Sequence, residues 1–410
     1  MRLSRADDSL VAVWWFTIDR TLVTLVLTLV GIGLLVSLAA SPAVAEAKHL
    51  PRYYFVERHV AFAALGLVVI LTLSLLSPRM IRLLALAGFV VSIGLLVAVL
   101  VVGEEINGAR RWLRIAGFSL QPSEFAKPCF VVLAAWAFAQ SRLRNDMPAL
   151  PIATALFVVL AVLLAVEPDV GQTLLVAAVW TCLFVIAGLS LAWIGGLLAL
   201  GAAGLGVAYM SLPYVAMRID RFLAAEPFKT SGALSQADRA LQSFMQGGFL
   251  GRGPGEGTIK LVLPDAHTDY IFAVIAEEYG IIACIGLAVL FALIVVRAFQ
   301  RAFGEQDLAV RYGIKGLALL VGLQAAINMG VNVGLLPAKG MTLPMISAGG
   351  SSMLATAVTF GMLLALARRR PGEARLKLPT LVVTPGDVPG DLEALSSGNL
   401  SQVKVGSADS

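Results

Sequence analysis

Long apolar runs, each bounded by a few polar residues, follow one another along most of the chain. Ten of them read as helical spans, at about 19–41, 58–77, 80–102, 121–140, 149–167, 171–189, 191–213, 271–298, 310–333 and 348–367. Hydrocarbon about 30 Å thick needs roughly 20 residues at 1.5 Å rise each, so these lengths predict transmembrane helices. The apolar residues are continuous rather than alternating, which argues against a β-barrel. The pattern predicts an all-α polytopic membrane protein with about ten transmembrane helices.

The polar residues between the runs set the orientation. Arg2, Arg5 and Arg20 precede the first run, Arg79 and Arg82 fall in the second-to-third turn, and Arg142 and Arg144 lie between the fourth and fifth. Arg297, Arg301, Arg311 and Lys315 flank the eighth-to-ninth turn, and Arg368, Arg369 and Arg370 close the tenth. With ten spans every cluster falls on one side, and the positive-inside rule makes that side, with both termini, cytoplasmic. The first run is too long for a signal-peptide core and reads as a retained helix. The longer loops, about 42–57, 103–120, 214–270 and 334–347, then face outward, the largest between helices 7 and 8. Two of them are basic, with Arg110, Arg111 and Arg114 in one and Arg218, Arg221, Lys229, Arg239, Arg252 and Lys260 in the other. An anionic substrate on the outer face is the simplest reason for that charge.

Residues 1–18 read as a cytoplasmic arm with Trp14 and Trp15 as interfacial anchors, 19–370 as the membrane domain, and 371–410 as a disordered cytoplasmic tail rich in Pro, Gly, Ser and Asp. Ser235 to Gln246 predicts a short amphipathic helix on the membrane surface.

Composition agrees. The 410 residues are 58% hydrophobic and 14% charged, with mean hydropathy +0.86, where a soluble domain carries about a quarter charged residues. The net charge of +5 says little about nucleic acid, because the basic residues sit between apolar segments in small groups. Cys129, Cys182 and Cys284 each lie inside an apolar run, without metal-ligand spacing or a disulfide framework.

The candidate chemistry gathers on the predicted outer side. Leu263 to Gly280 reads L-P-D-A-H-T-D-Y-I-F-A-V-I-A-E-E-Y-G, placing Asp265, His267, Asp269, Glu277 and Glu278 where a polar loop enters an apolar helix. Carboxylates there lose hydration, which is costly unless a partner or substrate compensates. With no second histidine the group makes a poor transition-metal site. Asp269 fits either a helix N-cap or a working carboxylate. Asn107 to Leu113, N-G-A-R-R-W-L, begins with a turn signal and offers Arg110 and Arg111 as planar forks for phosphate oxygens. In Q-P-S-E-F-A-K, Glu124 and Lys127 share one helix face, where an internal ion pair is the plain reading. Glu167-Pro168-Asp169 is a helix break, either a cation or substrate site or a tight polar turn. Gly247 to Lys260 lacks nucleotide-loop spacing and reads as irregular backbone able to approach a ligand, or as a flexible connector. Asn328 to Ser352 carries two asparagines on one helix face, a Pro- and Gly-constrained loop presenting Lys339, and a Gly-Gly-Ser-Ser helix start suited to close packing.

N-G-A-R-R-W, P-S-E-F-A-K, E-P-D-V-G, the Gly-rich loop, L-P-D-A-H-T-D-Y-I-F and P-A-K-G-M-T-L-P-M-I-S-A-G-G-S-S occur in an order that resembles the SEDS family (shape, elongation, division and sporulation), over about 19–370. Lys339 within P-A-K-G and the Gly-rich run favour its division branch. Ala348 departs from the tyrosine usual in the family at that place. The resemblance implies a SEDS fold and a peptidoglycan glycosyltransferase that polymerises lipid II at the outer face of the bacterial inner membrane, at the division septum. It implies Asp269 as the catalytic carboxylate, a general base in an inverting displacement. Arg110, Arg111 and Lys339 would then serve the substrate pyrophosphate, with Glu124, Lys127 and His267 as neighbouring substrate-binding residues. A divalent cation, Mg or Mn, is compatible with such a site but not required by the residues. The implied partners are lipid II, a class B penicillin-binding protein, other division membrane proteins and membrane lipids, with no nucleic acid. A lipid II flippase and a non-catalytic division scaffold are the competing classes.

Overall fold

The computed structural model describes residues 9–47, 49–106, 109–115, 117–144, 146–188, 191–211, 216, 217, 220, 236–337 and 340–369. The first helices are α1 (Leu10–Thr17), α2 (Arg20–Ala47), α3 (Tyr54–Ser74) and α4 (Pro78–Val102). Next come α5 (Pro122–Leu143), α6 (Ala149–Val166), α7 (Val170–Ile186) and α8 (Leu191–Ser211). The remaining described helices are α9 (Gln236–Gly247), α10 (Ile271–Phe303), α11 (Leu308–Asn332) and α12 (Gly350–Leu366). A helix stands at each of the ten apolar runs. Six of them, α2, α3, α4, α6, α10 and α11, are long and apolar enough to cross a membrane, and α7 and α12 are shorter apolar helices.

Local chemistry explains the boundaries. Ser77 caps α4 by accepting the Met80 N–H at 3.3 Å, and Pro78 follows at the first helical position, where its missing N–H costs nothing. Asp307 caps α11 by accepting the Ala309 N–H at 2.8 Å. In α4 the buried positions Ile81, Ala85, Phe89, Ser92, Leu96 and Val99 recur every three or four residues. Leu83, Val90, Val91 and Val101 on the other side are exposed, as a lipid-facing stripe requires.

The helices approach through small residues. A Cβ at Gly88 of α4 would lie 2.8 Å from Cys129 Sγ of α5, and one at Gly361 of α12 would lie 2.8 Å from Leu73 Cβ of α3. Helix α5 is buried along nearly its whole length and forms the centre of the bundle. At one end of the molecule Asp19, 3% exposed, is held by Arg297 at 2.9 Å and Arg301 at 2.5 Å. Arg368 donates there to Thr17 Oγ1 and to the carbonyls of Ser74 and Leu75.

Two features depart from the sequence reading. The segment after α4 is a three-stranded antiparallel sheet of β1 (Glu104–Ile106), β2 (Ala109–Ile115) and β3 (Phe118–Leu120), so the fold is all-α only within its membrane part. Glu105 pairs with Arg110 and Leu113 with Leu120. The hairpin register runs around Asn107 and Gly108, which lie outside the described residues. Helix α9 turns Ala240, Ser243 and Gly247 into the protein, a docking face that the sequence reading did not give it. A Cβ at Gly247 would overlap the Ala276 carbonyl, so the helix is docked on the start of α10.

Helix α10 is broken at Gly280, where φ is 80° and ψ is 176°. The Gly-dense loop fills that break. Arg252 N–H donates to the Glu277 carbonyl at 3.0 Å, Gly253 N–H to Glu278 at 3.0 Å, and Ile281 N–H to the Gly248 carbonyl at 2.9 Å. Glu277 accepts the N–H groups of Thr258, Ile259 and Lys260 at 2.6, 2.8 and 3.2 Å. Glu278 accepts Gly255 N–H at 3.1 Å and pairs with the Lys260 ammonium. The loop's backbone therefore approaches the kinked helix rather than a ligand, and the glutamate pair holds that loop.

Candidate active site

Opposite the Asp19 end, the starts of α3, α5 and α12, the end of α11 and the loop before α10 enclose a cavity of about 760 Å³. Arg58, Arg111, Gln121, Glu124, Asp265, Thr268, Asp269, Asn328 and Ser351 supply polar atoms to its wall, and Phe62, Leu65, Phe118 and Leu354 an apolar side.

Asp269 sits in this wall, but not as a helix cap. Asn332, fully buried in α11, takes that part: its Oδ1 accepts the Ala273 N–H at 3.1 Å. The amides of Asn328 and Asn332 donate to the Asp269 backbone carbonyl at 2.9 and 3.0 Å. Two asparagines one turn apart thus fix the residue by its backbone and leave its carboxylate to the cavity. Removal from water pushes that carboxyl up to about 7, helped by the negative charges of Asp265, Glu124 and Asp169. A base poised near neutral pH is suited to taking a proton from a hydroxyl.

The other expected site residues divide sharply. Arg111 lines the cavity and donates to the carbonyls of Glu167 and Pro168 at 3.3 and 2.5 Å, with Asp169 Oδ2 3.8 Å away. Its neighbour Arg110 is exposed, lies outside the cavity wall, and pairs with Glu105 at 3.8 Å. Alternation along a strand separates the two forks. Asp169 caps α7 by accepting the Gln172 N–H at 3.3 Å, so Glu167-Pro168-Asp169 is a polar turn that Arg111 braces.

Glu124 reaches the cavity; Lys127 does not. The Lys127 ammonium, 2% exposed, donates to Glu124 at 2.9 Å, to Gln172 at 2.8 Å and to Gln324 at 3.1 Å. All three of its donors are used, so it supports Glu124 and is not a direct substrate ligand. Gln172 donates to the same Glu124 oxygen at 2.6 Å, and Gln324 reaches the Thr342 carbonyl at 3.1 Å. His267 lines a smaller adjoining cavity instead, its ring 4.8 Å from that of Phe55. Lys339 lies outside the described residues. A side chain on the following residue, Gly340, would begin 3.5 Å from Asp269 Oδ2.

The Gly-Gly-Ser-Ser run does more than pack. Ser351 Oγ accepts the Gln121 N–H at 3.0 Å, Ser352 bonds Thr342, and Ser347 donates to the Thr268 carbonyl at 2.5 Å. These bonds tie three segments of the wall together. Among the described residues no three His, Cys, Asp or Glu side chains gather as a metal site, so no residue set is assigned to a divalent cation.

The polar residues the sequence reading passed over are Arg58, Gln121, Gln172 and Gln324. The two intramembrane glutamines were the available signal, since an amide inside an apolar helix requires a partner.

Comparison with known proteins places the chain in a family. The family model described as cell cycle protein, covering FtsW, RodA and SpoVE, matches residues 20–371. A relative from Caulobacter vibrioides, the probable peptidoglycan glycosyltransferase FtsW, is 43% identical over 90% of this chain and 94% of its own. A protein of the same description from Saccharophagus degradans is 36% identical over 83% and 89%. Among solved structures, a chain of a peptidoglycan synthase complex that coordinates polymerisation and crosslinking has a TM-score of 0.70 at 31% identity, covering 85% of this chain and 97% of that one. The rod shape determining protein RodA of Thermus thermophilus has a TM-score of 0.62 at 29% identity, covering 86% and 97%. The chain belongs to the SEDS family of cell cycle proteins, with FtsW and RodA.

Proposed function

We propose that the chain is a peptidoglycan glycosyltransferase that joins lipid II units into glycan strands at the outer face of the cytoplasmic membrane, during septal wall synthesis. The observation that carries this reading is Asp269, relieved of helix capping by Asn332 and held in a 760 Å³ cavity with its carboxyl near neutrality. The 4-hydroxyl of an acceptor N-acetylglucosamine gives its proton to Asp269 as its oxygen bonds the muramyl anomeric carbon. The bond from that carbon to undecaprenyl diphosphate breaks, the electron pair leaves with the diphosphate, and the centre inverts. General-base help supplies roughly 10²–10⁴-fold. Arg111 meets the charge growing on the leaving group, with Lys339 beside Gly340 as the second cation. Leu65 is 49% exposed yet lines the cavity, which supports entry of the polyprenyl tail from the bilayer.

The same reading takes all ten helices as spans, with the Asp19 end and both termini cytoplasmic and the segment of about 214–270 outside. It also pairs the chain with a class B penicillin-binding protein, since one solved relative works within a synthase complex.

The test is polymerisation of lipid II, supplied on the outer face of vesicles, by the full chain with its crosslinking partner. Wild type makes glycan and Asp269→Asn, folded to the same extent, loses at least 10²-fold. Full activity in the variant removes the general base. Absence of polymer together with lipid II movement between leaflets would favour the flippase.

A further inference from the structure

The main cavity is finite, about 760 Å³, while a glycan strand lengthens with every unit added, so the product must leave through a mouth. A side chain that lines the cavity and is also exposed marks where such a mouth lies. On the apolar side these are Leu65 and Phe118; on the polar side they are Arg58, Ser119, Gln236 and Asp265. At Arg58 the rim continues into a surface with chemistry of its own.

That surface is the turn before α3 and the start of the helix, P-R-Y-Y-F-V-E-R from Pro51 to Arg58. The Arg58 guanidinium lies 5.6 Å from the ring centre of Tyr54 and donates to its hydroxyl at 3.0 Å. Arg52 stands 5.8 Å from the ring centre of Tyr53. The Tyr54 ring meets Phe55 edge-on at 5.2 Å, and the Phe55 ring lies 4.8 Å from that of His267, two residues before the base. Aromatic rings thus run from the D-A-H-T-D loop out to Tyr53, which is 51% exposed. Both arginines are exposed, and among the described residues neither forms an ion pair with a carboxylate. Glu57 is the one acidic side chain of the stretch, so the ridge is net positive.

An aromatic belt at a membrane boundary explains one exposed tyrosine at a helix start. It does not explain two arginines set against successive tyrosines in line with the cavity. A guanidinium held against a ring keeps donors free for an anion, and the ring offers a flat apolar surface beside it. A glycan strand has the complementary chemistry: apolar faces on its sugar rings, and carboxylates on the lactyl-peptide substituents of its muramyl units. We propose that Arg52, Tyr53, Tyr54 and Arg58 form a track that leads the growing strand out of the cavity. The tyrosines lie against its sugar rings and the arginines meet its carboxylates. This rests on the glycosyltransferase reading above.

Binding of a soluble product fragment to the full chain in nanodiscs tests the track. The probe is an uncrosslinked glycan tetrasaccharide carrying its stem peptides; the control is chitotetraose, which has the rings without the carboxylates. Wild type binds the probe more tightly than the control. Arg52→Gln weakens probe binding about threefold and leaves the control alone, as loss of one exposed ion pair requires. Tyr53→Ser weakens both about tenfold through lost ring contact, and Tyr53→Phe, which keeps the ring, restores them. No binding by wild type, or equal affinity for probe and control, overturns the proposal. So does undiminished probe binding in Tyr53→Ser, which marks binding in the cavity alone, and so does a loss in Tyr53→Phe as large as in Tyr53→Ser. Lipid II polymerisation by the same samples keeps the two readings apart. Tyr53→Ser yields shorter strands for the same lipid II consumed; strands of wild-type length sink the track alone. Probe binding with no polymer from wild type sinks the transferase alone.

Discussion

Asp265→Asn should make the protein a better enzyme in acid. Asp269 must be ionised to accept a proton, and its carboxyl stands at about 7, first because it is desolvated and next because Asp265 is nearby and negative. Wild-type activity should therefore rise tenfold per pH unit below 7 and level off above it, leaving about a tenth of the base ionised at pH 6 and about a hundredth at pH 5. Removing the Asp265 charge removes the second cause and keeps the first, so the limb moves toward acid and stays above the ordinary carboxylate value near 4. At pH 5–6 the variant should exceed wild type severalfold, with plateaus within about twofold above pH 8. The substitution is mild for the backbone. Asp265 is exposed at φ 55°, a conformation asparagine shares with aspartate. The assay is the initial rate of glycan formation at saturating lipid II from pH 5 to 9. The reasoning fails if the wild-type limb lies near 4, or if the variant's limb does not move toward acid.

Lys127→Met leaves Glu124 buried without its cation and should cost about 3–5 kcal/mol, seen as a large fall in Tm in detergent; adding Glu124→Gln should restore much of it. Gly280→Ala meets both a positive φ and the Phe249 carbonyl, so little folded protein should be recovered. Gly286→Ala, in the same helix with open space around it, should be neutral or slightly stabilising by Tm. Arg111→Lys loses the fork that spans the cavity and the Glu167–Pro168 carbonyls, and should cut the polymerisation rate about a hundredfold. Arg110→Lys, outside the cavity, should stay within about threefold in the same assay.

The apolar runs foretold the helices to within a few residues because hydrocarbon leaves the backbone few alternatives. Asp269, Arg111 and Glu124 were legible as candidates, since each is a charged group at the end of an apolar run, and all three line the cavity. What the sequence could not separate was working charge from holding charge. Glu277 and Glu278 look as functional as Asp269 along the chain, yet they bind the backbone of the 255–260 loop. Lys127 looks like a phosphate ligand, yet every proton it carries is spent on Glu124, Gln172 and Gln324. Apart from Glu124, three positions from Lys127 on one helix face, these partners are brought together across 17 to 197 positions of sequence, which no local pattern encodes. The sheet of 104–120 was hidden for another reason: its strands are three to seven residues long and fall between the apolar runs, where hydropathy carries no signal.

The arrangement follows from what a bilayer does to polar groups. Backbone that leaves helical geometry at membrane depth must find partners within the protein. Here the interruption at Gly280 is closed by the 248–253 loop, the Glu167–Pro168 turn by Arg111, and the 341–347 segment by Asn328, Gln324 and Ser347. The first closure is made by backbone groups, and the last uses the Asn328 and Gln324 amides, which would otherwise be free to meet a ligand. The cavity is what remains after those demands are met, and Asp269 lines it with its capping duty passed to an asparagine. Exchanging Asn332 for leucine tests that division of labour. Loss of the cap should cost about 1 kcal/mol in stability. If Asp269 is then drawn into capping Ala273 N–H, activity should fall well beyond what the small fall in Tm predicts. Activity that merely tracks Tm would show that the asparagine stabilises the helix and does nothing for the base.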